Sequence, residues 1–204
     1  MRKLVIILDP AHGSDVPGKG SPDGSFKEYQ YSREILNKLK PKLEAEGFRV
    51  EFSNTTDKEI GLSKRVKFAT DLEIQKTQSK VFFSLHNNAS GYGKDWAKAR
   101  GFEIWVKPSA DPLTYKVAKY IIESLSLEFP DYKMRVLSPK EVVKSANFVV
   151  LGGKFPSVLL EWLFMDNQED LAILKDEKEK DKLVEALTSI FIQLDDNWEY
   201  LNKP

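Results

Sequence analysis

The chain carries two histidines, His12 and His86, and no cysteine among its 204 residues. Without cysteine there is no thiolate for a zinc or iron–sulfur site, no thiol nucleophile and no disulfide. With two histidines, no site of three imidazoles can be built from one chain. A metal held through nitrogen must therefore use His12 and His86 and complete its shell with carboxylates. Two imidazoles and one carboxylate form a catalytic zinc shell with a fourth position for water, whose pKa the metal lowers towards about 7. Hydrolysis of an amide then needs a separate carboxylate to take the water's proton and deliver it to the leaving nitrogen.

The surrounding elements have to bring such residues together. Leu4-Val5-Ile6-Ile7-Leu8 is a continuous apolar run ended by Asp9-Pro10, the pattern of a strand buried on both faces. A loop rich in Gly, Ser and Pro spans residues 13–25. A helix follows, with Ile35, Leu36, Leu39 and Leu43 on one face, Gly47 as its stop and Pro41 placed to kink it. Residues 48–52 alternate as a strand, and residues 62–72 read as a helix with Val66 and Ala69 inward. Residues 81–85 and 102–106 are predicted strands, and Pro112 opens a helix through Val117, Ile121 and Leu125. Residues 147–151 and 158–160 read as two further strands separated by Gly152-Gly153, and the chain is helical from about Gln168. Strands alternating with helices imply a single-domain α/β sandwich with a largely parallel sheet.

On this scheme His12 follows the first strand, His86 ends the strand at 81–85, and Glu161 ends the strand at 158–160. Open α/β sheets bind ligands beyond the carboxyl ends of their strands, so these three groups can meet on one edge. Glu28 starts the first helix, after a loop long enough to return to that edge. Glu161 lies between Val158-Leu159-Leu160 and Trp162-Leu163-Phe164, apolar surroundings that raise a carboxyl pKa and suit a proton carrier. Each residue also has an ordinary reading. A histidine at a strand end can be a satisfied turn residue, and Glu28 can simply favour the positive end of a helix dipole. Glu161 can be a buried partner of Arg65, Arg100 or Arg135. Composition and spacing leave both readings open.

Other features narrow the class of protein. Lys and Arg number 31 against 31 Asp and Glu, a net charge of zero. That balance argues against a nucleic-acid binder, which needs a clustered basic excess. A content of 41% hydrophobic and 30% charged residues suits a folded domain, not a disordered one. No apolar run approaches the ~20 residues of a membrane span. The run after Met1-Arg2-Lys3 is too short for a secretory signal and reads as a strand. The charge run from Lys175 to Lys182 reads as a solvated helix face.

Several segments carry a resemblance. These are Leu8-Asp9-Pro10-Ala11-His12-Gly13, Lys27-Glu28, Ser84-Leu85-His86-Asn87-Asn88-Ala89, Ala99-Arg100-Gly101-Phe102-Glu103 and Val158-Leu159-Leu160-Glu161. Their order resembles that of the zinc-dependent N-acetylmuramoyl-L-alanine amidases of the Amidase_3 type. Leu62-Ser63-Lys64-Arg65-Val66 and Ala146-Asn147-Phe148-Val149-Val150-Leu151 are similar to family segments too, so the likeness covers nearly the whole chain. It implies a twisted, mostly parallel six-stranded sheet flanked by helices, with one Zn2+ at one edge. His12, Glu28 and His86 match the family's zinc ligands, and Glu161 matches its catalytic glutamate. The implied reaction is hydrolysis of the amide between N-acetylmuramic acid and the L-alanine of the stem peptide of peptidoglycan. Ala11 stands where the family usually has Gly, Asn87-Asn88 where Ala-Asn is commoner, and Leu151-Gly152-Gly153-Lys154 lacks a frequent Arg.

Substrate contacts are expected from Tyr92 and Trp96, aromatics in the polar segment 87–100, and from Asn147 near a strand start. Each has a packing or turn alternative. Residues 1–204 are expected to form one amidase catalytic domain, monomeric, with no separate wall-binding domain. Two other classes share these parts: a noncatalytic peptidoglycan-binding module of the same fold, and a zinc peptidase or deacetylase acting on another amide. With no visible export signal, the expected routes to the wall are phage-mediated release, as for an endolysin, or export of an enzyme whose signal is absent from this chain.

Overall fold

A computed structural model describes residues 2–91 and 95–203. In chain order the strands are β1 (Leu4–Pro10), β2 (Arg49–Phe52), β3 (Ser79–Asn88), β4 (Glu103–Val106), β5 (Val143–Ser145) and β6 (Ser157–Phe164). The helices are α1 (Glu28–Ala45), α2 (Leu62–Asp71), α3 (Pro112–Glu128), α4 (Gln168–Lys175), α5 (Glu177–Asp196) and α6 (Trp198–Leu201). The strands form one sheet in the order β2-β1-β3-β6-β4-β5. β1 pairs in parallel with β2 and β3, and β3 in parallel with β6. β4 runs antiparallel to β6, and β5 runs parallel to β4. The sheet is therefore mostly parallel, and two strands at one side run the opposite way.

The apolar runs work by strand alternation, because successive side chains point to opposite faces. Leu4, Ile6 and Leu8 of β1 join Val81, Phe83 and Leu85 of β3 in a large core under α1, α3 and α5. Ile7, Phe82 and Leu159 face the other way and pack against Ala69 of α2, with Val150 and Leu151 beside it. Both faces of the central strands are covered, which is why their sequences read as unbroken hydrophobic runs.

The helix ends follow from capping chemistry. Asp111 accepts from the Thr114 N–H ahead of Pro112, Asn167 caps α4, and Asp176 caps α5. Gly47 takes φ +84° and ends α1, as its position predicts. α1 continues as one helix through Pro41. The carbonyl that proline leaves without a donor belongs to Asn37, a solvent-exposed residue.

Two expectations change. Residues 147–151 are not a strand: Val149–Leu151 is a short 3-10 turn that buries Val150 and Leu151 against the α2 face. Pairing with β4 stops at the Ala146 N–H, which donates to the Val106 carbonyl. The strand in this region is β5, three residues of which two are partly buried and one is exposed, with no apolar alternation to announce it. On α2, Arg65 is the residue fully buried beside Ala69, while Val66 is half-buried.

Candidate metal and catalytic centre

β1, β3 and β6 are parallel, so their carboxyl ends lie on one edge of the sheet. His12 stands two residues beyond β1. His86 and Glu161 lie inside their strands, β3 and β6 being longer than expected, and the two are register partners. A bulge follows at once between His86 and Asn88, and Leu163 opposite takes a left-handed φ of 60°. Such bulges re-aim side chains at strand ends. Glu28 is the first residue of α1 and is buried. The loop before it is pinned to that helix start by the Glu28 N–H, which donates to the Lys19 carbonyl at 3.1 Å.

Three of these side chains converge. Glu28 Oε1 lies 2.9 Å from His86 Nδ1, and Glu28 Oε2 lies 3.3 Å from His12 Nε2. One ligand atom from each of His12, Glu28 and His86 falls within 4.8 Å of the others. Tetrahedral zinc at about 2.0–2.2 Å from each ligand holds its ligand atoms about 3.3–3.6 Å apart. The donor set fits such an ion, and the pairs at 2.9 and 3.3 Å stand close to that spacing. The two rings stand edge to face, with centroids 4.9 Å apart. The Glu28 carboxylate also accepts from the Asn87 N–H at 3.1 Å, so its orientation is fixed from the backbone.

The electrostatics of the cluster follow from this packing. Burial would raise the Glu28 carboxyl, but hydrogen bonds and charge from both imidazoles outweigh it and hold the group well below the ordinary carboxylate range. Burial lowers His86, and its bond to Glu28, with the nearby carboxylates, raises it by more. Glu161 faces the same cleft without joining the trio. Its Oε2 is buried with no hydrogen-bond partner among the described residues, and burial pushes its pKa up to about 7. Neither Arg65, Arg100 nor Arg135 is its partner: Arg65 pairs with Asp9 and Glu59, Arg100 with Glu169 and Asp170, and Arg135 with Glu103. The register partner of Glu161 on β4 is Glu103, a buried carboxylate that takes Arg135 and Lys144 for itself and adds to the upward pressure on Glu161.

The cleft has a volume of about 330 Å³, and its walls include Gly18, Lys19, Asn87, Asn88 and Met165 besides the four predicted residues. Lys19 and Asn87 were not anticipated as site residues. Lys19 sits in an unpatterned loop, and the only sign at Asn87 was its departure from the family's usual Ala. Asn147 does not reach this edge. Val106 sits level with Val158, three residues and about 10 Å back along β6 from Glu161. β5 ends beside Val106 and runs away from the site, so Asn147 lies at the opposite edge of the sheet. Trp96 is 41% exposed on the segment after β3 and is not part of the cleft wall among the described residues. Tyr92 lies outside the described residues.

The family described as N-acetylmuramoyl-L-alanine amidase, Amidase_3, matches residues 6–191. The chain belongs to the Amidase_3 family. Its Amidase_3 region is similar to N-acetylmuramoyl-L-alanine amidase LytC of Bacillus subtilis, 29% identical over 185 residues that make up 89% of this chain and 34% of that protein. It is also similar to the endolysin of Bacillus phage SPP1, 29% identical over 179 residues, 86% of this chain and 59% of that one. The chain thus spans between a third and three fifths of the length of these relatives. Among solved structures, an N-acetylmuramoyl-L-alanine amidase from Clostridium difficile 630 superposes with a TM-score of 0.80 at 23% identity, covering 95% of this chain and 97% of that one. The catalytic domain of CwlV from Paenibacillus polymyxa gives 0.78 at 22% identity, with the same coverage. The Amidase_3 fold is therefore shared from end to end. Among the described residues, no helix is long and apolar enough to cross a membrane.

Proposed function

We propose that this chain is a zinc-dependent N-acetylmuramoyl-L-alanine amidase that cleaves the bond between N-acetylmuramic acid and the L-alanine of the stem peptide. The observation that carries the proposal is the convergence of His12 Nε2, Glu28 and His86 Nδ1 beside a carboxylate, Glu161, whose Oε2 has no partner among the described residues. Zinc held by the three ligands supplies Lewis-acid activation of water and of the lactyl carbonyl. Glu161 accepts the water's proton and passes it to the alanyl nitrogen as the C–N bond breaks. A carboxyl poised near neutrality serves both halves of that transfer. Imidazole binds the ion in its neutral form, so loading the site releases the proton that His86 shares with Glu28. Residues 1–204 act as the catalytic domain, on the cell wall, which the protein reaches by phage-mediated release from a host cytoplasm or by export. The likeness to an endolysin and to bacterial amidases supports both routes.

Digestion of purified peptidoglycan followed by mass analysis tests the reading. Release of intact stem peptides beginning with L-alanine, abolished by chelator and restored by zinc, is the expected result. Wall binding without release would make the chain a noncatalytic module. Cleavage of a different amide would make it a zinc peptidase or deacetylase.

A further inference from the structure

His12 holds its imidazole in place on an unfavourable backbone. Its φ is +46°, in the left-handed region that a non-glycine residue adopts only at a cost. Such a conformation persists only where the surroundings over-determine it. Here they do so through three consecutive carbonyls. Arg65 donates to the carbonyls of Pro10 and His12, the latter at 3.0 Å. Arg33 donates from Nη1 to the Ala11 carbonyl and from Nη2 to the His12 carbonyl, both at 2.9 Å. The next residue, Gly13, packs so closely against the chain that a Cβ there would stand 2.1 Å from the Glu59 nitrogen.

The two arginines differ in what else they do. Arg65 is fully buried and bound to Asp9 and Glu59, so it belongs to the core of the fold. Arg33 is half-buried on α1, and its remaining bonds go to backbone carbonyls of Tyr29 and Thr56. It lies five residues after Glu28, on the same helix that supplies the carboxylate. α1 therefore holds one ligand at its first residue and grips the backbone of another with Arg33.

We propose that Arg33 is a positioning residue for His12: its guanidinium spans the Ala11 and His12 carbonyls and keeps the left-handed turn that aims Nε2 at Glu28. This rests on the assignment of His12, Glu28 and His86 as the metal ligands. A guanidinium holds its donors in a rigid planar fork, so Nη1 and Nη2 meet the two carbonyls in a fixed geometry that the rotatable ammonium on a flexible stem does not pre-organise.

Zinc affinity of the full chain, measured by chelator competition, tests this without reference to turnover. Partners behind a metal ligand typically contribute about 10–100-fold to affinity. Arg33→Gln should raise the zinc dissociation constant by about that factor, and Arg33→Lys by less, with the melting temperature of the metal-free protein nearly unchanged. With only two histidines, imidazole NMR separates the effect cleanly: the signals of His12 should move and those of His86 should hold. A dissociation constant within about twofold of wild type in both variants, or equal movement of both histidines, overturns the proposal. If Arg33→Gln does not fold, the same criteria applied to Arg33→Lys decide it. Zinc binding with no muramoyl-amide cleavage by the wild type would defeat the amidase reading alone and leave this measurement standing.

Discussion

Glu161 and His86 are register partners on adjacent strands, yet they are assigned different work, and substitution separates them. Glu161→Gln keeps shape and removes the proton-carrying oxygen. Turnover should fall by about 10²–10⁴-fold, the usual share of a general base, while zinc content stays at the wild-type level. Wild-type activity would remove Glu161 from the reaction. His86→Ala should instead lose metal: it deletes one of three ligands and leaves Glu28 buried with a single imidazole. Unchanged zinc content by elemental analysis would take His86 out of the shell. At this scale the site was largely legible. Two histidines in the whole chain, each near a strand end, marked where a site could form, and the family resemblance decided between readings that composition and spacing left open. Arg33 was not legible, because it acts on backbone carbonyls that no residue pattern marks.

At the level of the elements, the edge of the sheet depends on how β1 is tied to its neighbours. Asp9, fully buried at the end of β1, accepts from Ser53 after β2, Ser84 of β3 and Arg65 of α2. One carboxylate thus binds three elements beneath the site. Removing one partner of a buried ion pair costs about 3–5 kcal/mol, because the other charge is left uncompensated. Asp9→Ala should lower the melting temperature by about 6–20 °C for a domain of this size. A shift below about 3 °C would show that the Arg65 charge is satisfied by Glu59 and the backbone alone. The central strands were legible because burial on both faces writes itself as unbroken apolar sequence. The direction of β4 was not, since nothing in Glu103–Val106 records which way its neighbour runs. Asn147, expected near the start of a strand, instead follows β5, which runs with β4 away from the site, and so lies at the other edge. The apolar run 147–151 was misread for a related reason: burial of Val150 and Leu151 is compatible with a strand or a tight turn.

For the whole molecule, the site links stability, pH and metal. In the metal-free chain the Glu161 pKa is raised from 4.5 to about 7, and that of His86 is raised above its ordinary 6.5. Both groups then bind more protons folded than unfolded, so stability falls as pH rises through these ranges. For His86, the contribution is complete below pH 6.5 and is lost as pH passes its raised folded value. Glu28 is depressed, so its contribution is complete above about 4.5 and is lost only in stronger acid. The other shifted carboxyls, Asp15, Asp23, Glu103 and Glu177, are also depressed and act on the acid side. The raised tyrosines and Lys38 and Lys180 act on the basic side. Between pH 5 and 8 the site groups therefore set the trend, and the melting temperature of the metal-free chain should decline across that window. Zinc reverses the sign, because it competes with the proton that its ligand His86 retains at low pH. The rise in melting temperature on adding a fixed excess of zinc should be small at pH 5.5 and grow towards pH 8, following RT ln(1 + [Zn]/Kd). Thermal melts with and without zinc across this range measure both trends. A zinc increment independent of pH would mean that the ion does not bind at the His12–Glu28–His86 cluster.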